Sequence, residues 1–156
     1  MAGKDQHVSA AHMVLGKDLN PHGTLFAGQA AAYFIECGFL AVQAFLGHGH
    51  IVCLSLDGLR FLRPVHKDQT IRIDSTLVYA GTSSVGVYLA MQRLPGEEKA
   101  AECFTSFVSI EEATGKAVPH GLSLGPLNDE TKRLQDLYLA YKGAVSYTHL
   151  RAHETR

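Results

Sequence analysis

The chain has 156 residues, 46% of them hydrophobic and 19% charged, a composition that suits one ordinary globular domain and not a disordered segment. A formal net charge of −1 argues against a nucleic-acid binder that works by neutralising phosphates. Trp is absent, so no Trp-based carbohydrate or membrane-interface platform is available.

Taken in chain order, the first patterned stretch is His7 to Leu15, with Val8, Met13 and Val14, and it reads as a strand. Gly16 to Gly23 carries glycine, proline, aspartate and asparagine together and reads as a loop. A long apolar helix is expected over about Ala27 to Leu46, ended by Gly47-His48-Gly49-His50. In those twenty residues only Gln29, Glu36 and Gln43 are strongly polar. A carboxylate at the centre of a lone membrane span costs roughly 2.5–3.5 kcal/mol. Much of the remainder is Ala and Gly, so a helix buried inside the protein is the better reading and no membrane span is expected.

From Ile51 the period changes to two. Val52, Leu54 and Leu56 alternate with Cys53, Ser55 and Asp57, and Pro64 ends the strand. Ile71 and Ile73 open a second strand reaching about Ala80, and Gly81-Thr82 turns it. Val85, Val87, Leu89 and Met91 make a third, and Pro95 to Glu98 turns that. Ala101 to Ile110 is the fourth. Three strands joined by short turns predict an antiparallel meander with the preceding strand alongside. A surface helix is expected over about 128–142, with Asn128 as N-cap, a stripe of Leu134, Leu137, Tyr138 and Tyr141, and a stop at Gly143.

The last twelve residues, Val145 to Arg156, do not share this patterning. They resemble the in-frame translation of a sequencing-library adapter and are read as a non-native tail, leaving a single domain over 1–144. The three cysteines, Cys37, Cys53 and Cys103, are odd in number, widely spaced and set among apolar residues. They read as small core residues in a reducing compartment. The first residues carry no apolar signal region, and a cytoplasmic location is expected.

One long apolar helix with five strands is an α+β layout. A helix apolar nearly all round needs cover on most sides, which a curved sheet and a second copy of the chain would supply. Glu36 stands out on it. Gln29, Glu36 and Gln43 recur every seven residues, which is two turns with about 20° of drift, so they share one stripe. The stripe reads either as a polar strip facing a pocket, with Glu36 as base or nucleophile, or as a seam against a neighbouring strand or solvent.

The segment Asn20-Pro21-His22-Gly23-Thr24-Leu25-Phe26-Ala27-Gly28, running into a helix with a central acid, resembles the hotdog-fold acyl-CoA thioesterases. The resemblance extends to Phe61-Leu62-Arg63-Pro64-Val65 after the second strand and to the Gly81-Thr82-Ser83-Ser84 turn, and covers about Val8 to Pro119. It implies a hotdog fold, a curved antiparallel sheet around one long helix. It also implies hydrolysis of acyl-CoA thioesters in a homodimer or dimer of dimers, with sites at the subunit interface and no cofactor. In that family the acid falls twelve residues after the first glycine. Here that place is Ile35, and Glu36 is one residue further, about 100° around the helix.

On this resemblance Glu36 is the carboxylate, backbone N–H groups near Ala27 and Gly28 receive the oxyanion, and Asn20 comes from the opposite subunit. His22, Gly23 and Phe26 flank the substrate. Arg60 and Arg63, with Lys67, are candidates for the phosphates of coenzyme A, and Ser83 and Ser84 for its pantetheine arm. Phe34 and Phe39 would narrow an acyl tunnel if they faced it. His48 and His50 lack the cysteine or acidic partners of a metal site, so no metal is expected. The alternative is a non-catalytic acyl-CoA-binding or regulatory module on the same fold. A hotdog dehydratase or hydratase would need a positioned histidine, for which His22 is the loop candidate. Strand pairing between subunits is expected near Val52 to Leu59.

Overall fold

The computed structural model describes the backbone of residues 7–154 and side chains through residue 143. The strands are β1 (His7–Met13), β2 (Ile51–Phe61), β3 (Thr70–Ala80), β4 (Ser84–Leu94) and β5 (Glu98–Ser109), and the helices are α1 (Ala27–Leu46) and α2 (Asp129–Glu154). All strand pairs are antiparallel, in the order β1-β3-β4-β5-β2. The α+β expectation is met: α1 lies on one face and touches all five strands, the hotdog arrangement.

Helix α1 forms because its residues are good helix formers without an internal proline. It ends at Gly47, whose φ of 83° lets its N–H bond to Gln43 O at 2.8 Å. The side facing the sheet is Ala30, Phe34, Cys37, Gly38, Ala41, Val42 and Phe45, all buried. By length and composition α1 would pass as a membrane span. Its packing on the sheet makes it the core helix instead. The inner faces of the strands follow period two, with Ile71, Ile73, Leu77, Val85, Val87, Leu89 and Met91 buried. Cys37 and Cys103 are buried among them and unpaired, and burial pushes the Cys37 thiol up to about 11.

The meander β3-β4-β5 is as expected, with β2 alongside it at β5. The connection 62–69 therefore crosses the ends of β5 and β4. Leu62 N and Arg63 N bond to Ala100 O at 2.7 and 3.2 Å, and Arg93 Nη1 bonds to Pro64 O at 2.7 Å. This leaves β1 and β2 as the sheet edges.

Helix α2 covers the outer face. Leu134 and Tyr138 pack on Val78, Tyr88, Ala90 and Phe104, and Tyr138 Oη shares a 2.7 Å bond with Ser106 Oγ. Asn128 caps the helix as expected, its Oδ1 accepting Thr131 N at 2.8 Å. The helix does not stop at Gly143 but continues to Glu154. A glycine inside a helix costs only about 1 kcal/mol against alanine and ends it when the backbone turns left-handed. Gly143 is not among the positive-φ glycines.

Candidate active site

The Asn20 loop is a turn built around one side chain. Asn20 Oδ1 accepts His22 N at 2.9 Å and Thr24 N at 3.1 Å, and Nδ2 donates to Thr24 Oγ1 at 2.9 Å. Gly23, with φ of 81°, supplies the left-handed residue that closes the turn, and its N–H bonds to Asn20 O at 3.0 Å. The loop is tied down by Leu25 N to Val65 O at 2.7 Å and Phe26 N to Asp18 O at 2.8 Å. Between it and the 62–69 connection lies a cleft of about 350 Å³. Asn20, Thr24 and Ala27 form one wall, Phe61, Arg63 and Pro64 the other, with Met91 and Ala101 at the floor.

Asn20 and the start of α1 thus line one cleft in one protomer. Asn20 stands seven positions ahead of Ala27 in the chain, and both border this cleft within one copy. Phe26 is the N-cap of α1 and no side chain caps the helix. The first-turn N–H groups have no intrahelical partner and favour a negative oxygen. Gly28 lies against the ring of Phe26. A β-carbon there would lie 2.5 Å from Cε2 of Phe26, so the Phe26 ring occupies the space over it. His22 is exposed at the turn tip, and its side chain makes no hydrogen bond among the described residues.

Glu36 does not line this cleft. It lies nine residues, or roughly 14 Å, along the helix axis from Ala27. It sits on an exposed flank of α1 beside β1, its side chain 59% exposed in the protomer. Gln29 and Gln43 share that open side. Ile35 is turned toward the core and packs against it, as does Phe39, while Phe34 is fully buried. Neither phenylalanine borders the cleft.

Glu36 has one close partner that the sequence reading missed. His12 Nε2 lies 3.9 Å from Glu36 Oε1. His12 follows Val8 and Ala10 on the inward side of β1, so the alternation of that strand was the available signal. Its ring stacks on Tyr33 at 4.0 Å between centroids. Tyr33 Oη donates to Asp18 Oδ1 at 3.0 Å, and Asp18 Oδ2 accepts Leu15 N at 2.9 Å. Burial alone would raise the Asp18 carboxyl, but the bonds from Leu15 and Tyr33 and the Lys17 ammonium outweigh it and hold it below its ordinary value.

The two arginines separate, because Arg60 is in β2 whereas Arg63 lies beyond its end, on the 62–69 connection. Arg63 borders the cleft, held by Nη1 to Lys99 O at 2.6 Å and by Glu98 at 3.8 Å. Arg60 points to the outer face, where it pairs with Glu102 alongside Tyr88 and Lys99. Lys67 is exposed on the crossing connection. Ser83 and Ser84 are at the far end of β4 from Met91, seven residues or roughly 23 Å away. There Ser84 O accepts Gly81 N at 2.9 Å and Ser83 O accepts Ser109 N at 2.8 Å. In one protomer they are turn residues remote from the cleft. His48 and His50 stack on each other beyond the end of α1, 5.5 Å between centroids.

The chain is 29% identical over 120 residues to the uncharacterized acyl-CoA thioester hydrolase YkhA of Bacillus subtilis, a match covering 74% of this chain and 69% of that protein. Among solved structures it is similar to an acyl-CoA hydrolase from Staphylococcus aureus in complex with butyryl coenzyme A, coenzyme A and coenzyme A disulfide. That likeness has a TM-score of 0.81 at 23% identity and covers 96% of this chain and 89% of the other. A hexameric thioesterase from Yersinia pestis is similar with a TM-score of 0.67 at 20% identity, over 74% of this chain and 94% of that one. The family pattern of the thioesterase superfamily matches residues 22–100, a span that begins in the Asn20 loop, contains all of α1 and the cleft wall, and runs into β5; the chain belongs to the thioesterase superfamily.

Proposed function

We propose that the protein hydrolyses acyl-CoA thioesters to the free acid and coenzyme A. The observation that carries this reading is the cleft at the uncapped start of α1 in a chain of this superfamily. A thioester carbonyl in that cleft has its oxygen near the first-turn N–H groups, which stabilise the developing oxyanion. Asn20 shapes the wall: its carbonyl oxygen is spent on the turn, and one of its two amide protons remains for the substrate. Met91 and Ala101 take the start of the acyl chain, and Arg63 meets the polar remainder.

The carboxylate comes from a second copy. Glu36 is too far along its own helix to serve its own cleft, yet it stands on an open side that a partner would cover. The free edge of β2 supports pairing between copies, since Val52 and Leu54 are exposed there, Leu54 at 61%. The name of the Yersinia pestis relative, a hexamer, supports assembly beyond a monomer. In the reaction a water gives its proton to Glu36 while its oxygen adds to the carbonyl carbon. The C–S bond then breaks, and the leaving thiolate takes the proton back from Glu36.

The test is hydrolysis of short, long and aromatic acyl-CoAs with release of free thiol as readout. Turnover that falls at least roughly 10²-fold in Glu36→Gln supports the reading, this being the scale of general-base removal. Tight acyl-CoA binding without turnover of any substrate would favour the binding module instead, with Ile35 at the family's usual acid place as the reason.

A further inference from the structure

We infer that His12 is a positioning residue for Glu36, an inference that rests on the hydrolase reading above. His12 Nε2 is buried from solvent and has no hydrogen-bond partner among the described residues. A buried ring nitrogen left unmade is costly, so native structures rarely keep one without a use. The Glu36 carboxylate lies 3.9 Å from it, on an exposed side chain that can turn. A small rotation of Glu36 closes the pair.

The imidazole itself is held in place. Its face lies on Tyr33, with 17° between the ring planes, and Tyr33 is fixed by the wholly buried Asp18. A helix–strand contact thus presents one N–H at a set angle to one carboxylate oxygen. With that oxygen bound to His12 Nε2–H, the other faces outward, free to take the proton of the attacking water. His12 touches no substrate in this arrangement. It narrows the rotamers of Glu36 to those that serve the partner's cleft, as an outer hydrogen-bond partner does for a catalytic group.

Two variants separate positioning from packing. Phe at position 12 keeps the stack on Tyr33 and removes the N–H, while Gln places an amide N–H near Nε2. His12→Phe is expected to lower kcat about tenfold at an unchanged KM, the lower end of what such a partner contributes. His12→Gln is expected to recover most of that loss, and His12→Phe to add nothing in a Glu36→Gln background. Parental kcat in folded His12→Phe overturns the inference, as does an equal loss in His12→Gln. A readout free of turnover is the ¹⁵N spectrum of the His12 imidazole, compared between the parent and Glu36→Gln. A change in its Nε2 signal supports the pairing, and a signal indifferent to residue 36 overturns it. If the parent releases no thiol from any acyl-CoA, the hydrolase reading fails, and the nitrogen spectrum alone decides whether the pair exists.

Discussion

The ring of Phe26 covers Gly28 so closely that a β-carbon on residue 28 would stand 2.5 Å from Phe26 Cε2. Phe26 is 53% exposed, so the ring can move aside. Gly28→Ala is therefore expected to displace Phe26 and change thioesterase kinetics while shifting the melting temperature little. In a Phe26→Ala background the same substitution should be close to neutral for turnover. Steady-state kinetics on the two singles and the double measure this coupling.

Gly38 is a packing glycine and should behave in the opposite way. A β-carbon there would lie 2.7 Å from Thr105 Oγ1 and 3.0 Å from Phe107 Cε2, atoms of the buried sheet face. Gly38→Ala is expected to destabilise the fold by about 1–3 kcal/mol, the range for overpacking a core. Urea unfolding checks it, with a lowered midpoint at an unchanged slope as the expected result.

Arg60 and Arg63 should part company in kinetics. Arg63→Ala, at the cleft, is expected to raise KM for acyl-CoA several-fold with little change in kcat, the pattern of lost uniform binding. Arg60→Ala should leave KM alone, since its guanidinium is engaged with Glu102 on the outer face. Comparing acyl-CoA with a truncated pantetheine thioester shows whether the Arg63 effect depends on the nucleotide end.

Glu102 sets an acid limit on stability. Burial alone would raise its carboxyl, but bonds from Tyr88, Arg60 and Lys99 bring it from the ordinary 4.5 to about 2. A carboxyl lowered on folding contributes stability that is complete above about 4.5 and is lost as the pH falls through about 2. Between pH 7 and pH 3 that loss is on the order of 2 kcal/mol. Glu102→Gln should lose correspondingly less over the same interval in urea unfolding.

Helix α1 was legible residue for residue, because its apolar run and the Gly47 stop are local signals. The neighbour of β2 was not, since strand order depends on where the 62–69 connection crosses, and no residue pattern inside β2 distinguishes β3 from β5 as a partner. Arg60 and Arg63 part because β2 ends at Phe61, between them, a boundary that their shared charge had obscured. Gly143 looked like a stop because glycine favours one. Nothing in the residues around it required a left-handed turn. The Asn20 loop and the cleft wall at Pro64 were recognisable as motifs. The reach of Glu36 was not, because the one-residue offset from Ile35 acquires meaning only when the helix has a sheet on one side and open space on the other.

The most direct measurement of a shared active site is activity restored by mixing two inactive variants. Glu36→Gln and Asn20→Ala are each expected to be folded oligomers with thioesterase turnover reduced, the first by at least roughly 10²-fold. After co-refolding in equal amounts, half the dimers are mixed. Each mixed dimer has one site with an intact Glu36 from one copy and an intact Asn20 from the other. The account predicts recovery to roughly a quarter of parental turnover, from that statistical share of two-fold symmetric dimers. Turnover in the mixture no higher than the average of the two variants, with exchange of subunits demonstrated, would contradict it.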